Sequence, residues 1–160
     1  MSNFSIRPAT TEDTEILVRI AQDEFRAIYG CIHQQLGEEV FSSFYPDPDE
    51  QKAQQIREDI ASGNCFVSEV DGQIAGFIRY IYYAKENIGV IGNNAVSAAF
   101  RGQGIGPRQY DFVFDLLRQK GAAGVKVTTG LDEAHAPARR AYEKAGFSAH
   151  TSQITYYKKL

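Results

Sequence analysis

The segment Arg101-Gly102-Gln103-Gly104-Ile105-Gly106 is the most informative part of this 160-residue chain. It follows an apolar, strand-like run that ends at Val96 and precedes a long amphipathic segment, so it joins a strand to a helix. Glycines in such a turn let backbone N–H groups point toward an anion at the N-terminus of the helix. We therefore expect this loop to hold a phosphate group.

Two other phosphate-binding loops do not match the sequence. A dinucleotide-binding loop has the pattern G-x-G-x-x-G with an acidic residue about twenty positions later. Here the glycines follow G-x-G-x-G, and residues 121–130 contain no carboxylate. A nucleotide triphosphatase loop ends in G-K-[ST], which is also missing. Turn glycines without a ligand remain the alternative.

A second motif begins about thirty residues after the first, which is the ordinary spacing of a strand-helix-strand unit. It reads His135-Ala136-Pro137-Ala138-Arg139-Arg140-Ala141-Tyr142-Glu143-Lys144-Ala145-Gly146-Phe147. In this order, the two motifs resemble those of the GNAT superfamily of acyl-CoA-dependent N-acetyltransferases. The opening segment from Phe4 to Thr10 also resembles the family's first strand and the start of its first helix.

The resemblance implies a cosubstrate, acetyl-CoA, and a catalytic residue, Tyr142. In the family, the glycine loop binds the CoA pyrophosphate, and the second motif lies along the pantetheine arm. The tyrosine would hydrogen-bond to the departing sulfur or protonate it. No metal is implied. The residues expected to bind the cosubstrate are Ala95, Val96, Ser97, Arg101, Gly102, Gln103, Gly104, Ile105, Gly106, His135, Ala138 and Arg139.

The chain departs from the family pattern at three points. Pro107 has no N–H to add to the phosphate loop. His135 replaces the usual Asn, and it could contact the pantetheine, cap the next helix or act as a base. The strand before the glycine loop lacks the carboxylate that serves as base in many relatives. Glu69, Asp132, Glu133 and a water chain remain alternatives for that role.

Composition narrows the classes of partner. The net charge is −3 and the basic residues are dispersed, so we expect no nucleic-acid partner. No apolar run approaches the roughly twenty residues of a membrane span. The two cysteines, Cys31 and Cys65, and an N-terminus without a signal sequence predict a cytoplasmic protein with reduced thiols. The length predicts one domain over residues 1–160 and leaves a homodimer open.

Sequence periodicity predicts an α/β (α+β) domain with a mixed, mostly antiparallel twisted sheet flanked by helices. A strand-helix-strand crossover from Val90 to Val127 lies at its centre and, by resemblance, binds CoA between strands that splay apart. Asn93 and Asn94 either lie beside that splay or are turn residues of an irregular strand. The expected strands are 65–70, 73–84, 89–96, 125–129 and a final pair after Phe147. The expected helices are one from Thr10 or Thr11 to Gly30, two between 33 and 63, and those at 107–120 and 137–145.

The function expected from the resemblance is transfer of an acetyl group from acetyl-CoA to a primary amine of a small molecule or peptide. The alternative is a non-catalytic acyl-CoA-binding sensor of the same fold. Pro107 and the missing strand carboxylate favour the sensor, whereas Tyr142 favours the enzyme. Candidate acceptor-site residues are Tyr29, His33, Phe41, Phe44, Tyr45, Tyr80, Tyr82 and Tyr156, although aromatic side chains at such spacings are more often core.

Overall fold

The computed structural model describes residues 3–160. Its strands are β1 (Phe4–Pro8), β2 (Cys65–Val70), β3 (Gln73–Tyr83), β4 (Ile88–Val96) and β5 (Gly124–Val127). Its α-helices are α1 (Thr14–Leu36), α2 (Glu38–Phe44), α3 (Pro48–Ala61), α4 (Ile105–Gln119) and α5 (Ala136–Lys144). Short 3-10 turns lie at Thr11–Asp13, Ala98–Phe100 and Glu133–His135. None of the helices in this part of the chain is long and apolar enough to span a membrane.

The strands form one sheet in the order β1-β2-β3-β4-β5. Every neighbouring pair is antiparallel except β4 and β5, which are parallel and connected through α4. The predicted mostly antiparallel sheet flanked by helices is confirmed, and its strand-helix-strand crossover joins β4 to the edge strand β5. The Asp71-Gly72 turn has positive φ at both residues, 50° and 78°, as a tight hairpin between β2 and β3 requires.

Helices cover both faces of the sheet. On one face, α1 and α3 bury Leu17 and Ile56 against Val67 and Phe77, all of them fully buried. On the other face, α4 and α5 pack on the side chains of Ile78, Tyr80 and Ile91. Successive β3 residues, Phe77 and Ile78, therefore serve opposite cores, as the period of two in a strand dictates.

An ion-pair cluster ties the N-terminal strand to the first helix. The Arg7 guanidinium contacts the Asp13 carboxylate at 2.8 Å and that of Glu69 at 2.9 Å. Asp13 also accepts a hydrogen bond from the Thr10 backbone N–H at 2.7 Å. The hydrogen bonds from Arg7 lower the pKa of Asp13 to about 2, although burial opposes this shift.

The first helix is longer than the sequence predicted. Gly30 was expected to end it, but the helix continues to Leu36 and ends before Gly37, whose φ is +73°. The expectation is wrong because packing offsets the low helix propensity of one glycine. His33 lies against Phe41 of α2, with ring centroids 4.6 Å apart, and Tyr29 packs edge-on against Tyr45.

The expected final pair of strands after Phe147 is not observed, and residues 147–160 have no regular secondary structure. The segment instead contacts α2 and the residue after it. The Tyr157 ring packs edge-on against Phe44, its hydroxyl lies 3.4 Å from that of Tyr45, and Lys159 pairs with Glu39. β-Branched and aromatic residues favour strands only where a neighbouring strand completes the ladder.

Candidate active site

The parallel strands β4 and β5, at one edge of the described sheet, separate partway along their length. Their pairing runs from Ile88 opposite Gly124 to Ile91 opposite Val127, where β5 ends and β4 continues to Val96. At the same level, a β-bulge places Gly92 and Asn93 of β4 opposite the single residue Arg79 of β3. Beyond Ile91, the edge of β4 that faces away from β3 is therefore not paired with β5, and a gap opens there.

Hydrogen bonding on the paired side of β4 fixes which backbone groups face this gap. The Ser97 N–H donates to the Ala75 carbonyl at 2.9 Å, so those residues form a hydrogen-bonded antiparallel pair. Because such pairs alternate along a ladder, Ala95 also bonds toward β3, whereas the N–H and C=O of Val96 point toward the gap. Of the three strand residues predicted to contact pantetheine, Val96 offers both backbone groups to the gap.

The glycine loop lies at the end of β4 and opens α4. Gly102 and Gly104 have φ of +77° and +73°, a left-handed conformation that side chains disfavour. A Cβ at Gly102, Gly104 or Gly106 would meet no atom within 4 Å, so all three border open space. A cavity of about 300 Å³ is lined by Val96, Phe100, Arg101, Gly102, Gly104, Ile105, Gly106 and Pro107.

The side chains of the glycine loop differ in their surroundings. Ile105 is buried against Val70 and Ala75, so it anchors the loop while its backbone remains at the helix N-terminus. Arg101 forms an ion pair with Glu24 of α1. Gln103 is exposed.

Pro107 is the third residue of α4, where an N–H would otherwise be free of an intrahelical partner. The next residue, Arg108, places its guanidinium 3.5 Å from the centre of the Phe4 ring. This cation-π contact draws Arg108 toward β1, and its side chain is not among those lining the cavity. The cavity therefore lacks a donor at position 107.

Tyr142 lies on α5 and is 8% exposed. Its hydroxyl oxygen accepts a hydrogen bond from Asn94 Nδ2 at 3.2 Å, and Asn94 Oδ1 accepts one from the Tyr110 hydroxyl at 3.1 Å. Burial raises the pKa of Tyr142, and the hydrogen bond from Asn94 opposes that rise. A buried phenol thus lies beside the β4 bulge, at the level where β4 and β5 part.

Asn93, on the opposite face of the sheet, belongs to a buried polar cluster that the sequence did not reveal. Its Oδ1 accepts from Lys52 Nζ at 3.2 Å, and its Nδ2 donates to Asp59 at 2.7 Å. Arg79 Nε lies 3.0 Å from the same carboxylate. Burial lowers the pKa of Lys52 to about 8 and raises that of Asp59. The only sequence signal was the unusual Asn-Asn pair within an apolar strand.

The His135 ring is held by a carboxylate. Its Nδ1 lies 2.8 Å from Asp132 Oδ2, and Asp132 Oδ1 also accepts from the His135 backbone N–H at 3.2 Å. The imidazole therefore does not cap α5, which was one expectation; instead, Asp132 caps the short turn before that helix. Burial alone would raise the pKa of Asp132, but the hydrogen bonds from His135 outweigh it and lower this pKa.

The remaining residues of the second motif support this loop and helix. Arg139 Nη1 donates to the Gly130 and Asp132 carbonyls, both at 2.7 Å, so one end of its guanidinium braces the β5-α5 connection. Ala138 packs against the core under α5. Two of the carboxylates considered as a base are Glu69 and Glu133. Glu69 of β2 accepts a hydrogen bond from Arg7 of β1, and Glu133 is exposed.

The aromatic candidates for an acceptor site separate into two sets. Tyr29, His33, Phe41 and Tyr45 contact one another where α1 meets α2. Tyr80 is buried in the core, whereas Tyr82 donates to Lys120 at the opposite end of the sheet. Tyr156 is exposed, and Phe44 packs against Tyr157. The structure therefore brings only Tyr29, His33, Phe41 and Tyr45 together.

A mixed sheet with a split parallel pair and a glycine loop at the start of the following helix defines the fold class. Residues 34–147 match the model of the acetyltransferase (GNAT) family. The chain belongs to this family, as the two motifs indicated. No curated protein sequence matches the chain.

Several solved structures have the same fold. PaiA N-acetyltransferase from Thermoplasma acidophilum, in complex with coenzyme A, matches with a TM-score of 0.72 and 18% identity over 97% of this chain and 96% of that one. AAC(6')-Iy, bound to a bisubstrate analogue of CoA and acetylneamine, matches with a TM-score of 0.68 and 17% identity, over 99% of this chain and 100% of that one. Glucosamine-6-phosphate N-acetyltransferase from Arabidopsis thaliana matches with a TM-score of 0.59 and 21% identity, over 98% of this chain and 99% of that one.

Proposed function

We propose that this protein transfers an acetyl group from acetyl-CoA to a primary amine of a small molecule or peptide, with residues 1–160 as one acetyltransferase domain. The observation that carries the proposal is the gap between β4 and β5, with open space around the glycine loop at one end and the Tyr142 hydroxyl beside the bulge.

The residues around the gap fit acetyl-CoA. The N–H groups of Ile105 and Gly106, in the first turn of α4, would bind the pyrophosphate, since a helix N-terminus attracts anions. The free backbone groups of Val96 would pair with an amide of the pantetheine arm, as in strand addition. A Cβ at any of the three loop glycines would occupy the open space that a phosphate needs.

In the reaction, the amine nitrogen attacks the acetyl carbon, the C–S bond breaks with its electron pair going to sulfur, and the amine gives its proton to a water chain that leads to solvent. Tyr142 would donate a hydrogen bond to the departing thiolate. A phenol of pKa near 10 gives up its proton to a thiolate whose acid has pKa near 8.5 only at a cost of roughly 2 kcal/mol. Burial of Tyr142 increases that cost. The hydroxyl therefore stabilises the developing negative charge by hydrogen bonding rather than by complete proton transfer.

A small amine acceptor is supported by two observations. Structural neighbours include a glucosamine-6-phosphate N-acetyltransferase and an aminoglycoside acetyltransferase in complex with sisomicin. In this chain, the aromatic cluster between α1 and α2 offers an apolar surface to an acceptor.

The second candidate function is an acyl-CoA sensor without turnover. It is favoured by the missing donor at Pro107 and by the pairing of Arg101 with Glu24, which neutralises a cation beside the glycine loop. Acetyl-CoA-dependent release of thiol, measured with amino sugars, an aminoglycoside and peptide N-termini, separates the two. The enzyme turns over at least one amine, whereas the sensor binds acetyl-CoA and releases no thiol.

The role of Tyr142 is tested by Tyr142→Phe. We expect kcat to fall by roughly ten- to a thousandfold with little change in acetyl-CoA affinity, because the hydroxyl acts mainly in the transition state. Tyr82→Phe is the matched control, since it removes a hydroxyl bonded to Lys120 and Asn87, remote from the gap. A folded Tyr142→Phe protein with kcat within about twofold of wild type would remove Tyr142 from the mechanism.

A further inference from the structure

We propose that Asn94 is a positioning residue that turns the Tyr142 hydroxyl proton toward the sulfur of acyl-CoA. The proposal rests on the function proposed above and deepens it, because it assigns a second residue to the stabilisation of the leaving group.

The contacts of Asn94 fix the orientation of its amide. Asn94 Oδ1 lies 3.1 Å from the Tyr110 hydroxyl, and a carbonyl oxygen can only accept, so Tyr110 donates this bond. Asn94 Nδ2 lies 3.1 Å from the Gly92 carbonyl, to which it can only donate. Exchanging the oxygen and nitrogen would set two carbonyl oxygens against each other at Gly92. The amide therefore has one stable orientation.

This orientation determines what the Tyr142 hydroxyl does. The second hydrogen of Asn94 Nδ2 reaches the Tyr142 oxygen at 3.2 Å, so this oxygen accepts. Within residues 3–160, Tyr142 donates its own proton to no protein acceptor. The proton is free for a group that enters the gap, and the bond from Asn94 increases its acidity by stabilising negative charge on the phenol oxygen.

Asn94 is well placed for this role because it lies just after the bulge. The extra residue at Gly92-Asn93 shifts the register, so that Asn93 faces α3 while Asn94 faces α4 and α5. One side chain thereby connects Tyr110 of α4 with Tyr142 of α5. Both aromatic rings are otherwise held by apolar packing, with centroids 5.7 Å apart.

The main test compares Asn94→Asp with Asn94→Ala. An aspartate has nearly the same shape, but its carboxylate cannot donate and would accept the Tyr142 proton, turning it away from the sulfur. We expect Asn94→Asp to lower kcat by at least about tenfold and by more than Asn94→Ala, with KM for acetyl-CoA nearly unchanged. In a Tyr142→Phe background, Asn94→Asp should cause no further loss. Losses that multiply, or a smaller effect of Asp than of Ala, would overturn the proposal.

A second measurement does not require turnover. The ultraviolet absorbance of the thiolate reports the pKa of the bound CoA thiol, which we expect to lie below its ordinary value of about 8.5 in wild type. Asn94→Asp and Asn94→Ala should raise that pKa. Asn93→Ala is the control, because it removes an amide from the same bulge that contacts Lys52 and Asp59 instead of a tyrosine.

The two measurements distinguish the proposals. If wild type releases no thiol with any amine but the bound CoA thiol responds to Asn94, then the proposed function fails and the positioning role stands. If the thiol pKa is the same in wild type and both Asn94 variants, or if Asn93→Ala shifts it equally, then the positioning role is refuted.

Discussion

Replacing Gly106 with alanine should weaken CoA binding while the protein stays folded. Gly106 is the second residue of α4, its φ lies outside the positive range, and a Cβ there would meet no atom within 4 Å outside the adjacent residues and the helix's own backbone. Alanine is favoured over glycine in a helix by about 0.5 to 1 kcal/mol, but Pro107 disfavours the helical conformation of a preceding residue that carries a Cβ. The two effects oppose each other, so for a domain of this size we expect Tm to stay within roughly 4 °C of wild type.

The same methyl group would enter the space where the pyrophosphate is expected. Displacing a phosphate oxygen from one helix N–H removes a hydrogen bond to a charged group, worth about 1.5 to 3 kcal/mol. The Kd for CoA should therefore rise by roughly ten- to a hundredfold. Isothermal titration calorimetry gives the affinity, and a thermal melt of the same preparation gives Tm.

Gly30 provides a matched control. It lies inside α1, and a Cβ there also meets nothing within 4 Å. No proline follows Gly30, so Gly30→Ala should raise Tm by roughly 1 to 4 °C. It should leave the CoA affinity unchanged, because Gly30 is not among the residues that line the glycine-loop cavity. If Gly106→Ala binds CoA within about twofold of wild type, then no phosphate approaches this turn and the assignment of the loop is wrong.

Two further predictions concern the phosphate loop and acid stability. Pro107→Ser supplies an N–H in the first turn of α4 and should tighten CoA binding by about two- to tenfold in calorimetry; an unchanged or higher Kd would mean that this amide does not face a phosphate. The pKa of Asp13 is lowered to about 2 by Arg7, so the folded protein loses this stabilisation as the pH falls from about 4 to 2. Asp13→Asn should lower the free energy of unfolding at pH 7 by about 1 to 2 kcal/mol, a range reduced because Arg7 is partly exposed. Urea unfolding at several pH values should also show that the free energy of unfolding falls less steeply with decreasing pH in the variant than in wild type. An equally steep fall in the two proteins would contradict this role of Asp13.

Sequence patterns determined the main elements of the fold. The Asp71-Gly72 turn predicted the hairpin between β2 and β3, and the glycine loop predicted the junction between β4 and α4. These signals are local, because a positive φ or a helix N-terminus depends on a few adjacent residues. The family was also recognisable, since its two motifs are short and continuous in sequence.

The length of α1 and the path of the C-terminal segment depend on tertiary contacts. Glycine has a low helix propensity, yet α1 continues past Gly30. On either side of this glycine, Tyr29 packs against Tyr45 and His33 packs against Phe41. The C-terminal residues have strand propensity, but Tyr157 packs on the aromatic side chains of α2. In both cases, the deciding contacts come from residues distant in sequence or across a turn.

The surroundings of Tyr142 show the same division for the site. Its place in the second motif singled it out, but its partner Asn94 is 48 residues away in sequence. A bulge decides which asparagine faces the tyrosine, and the insertion of one residue into a strand reverses the faces of all that follow. Sequence fixes which chemical groups the chain carries, whereas the register of the sheet determines which of them meet, because register depends on pairing between strands that are far apart along the chain.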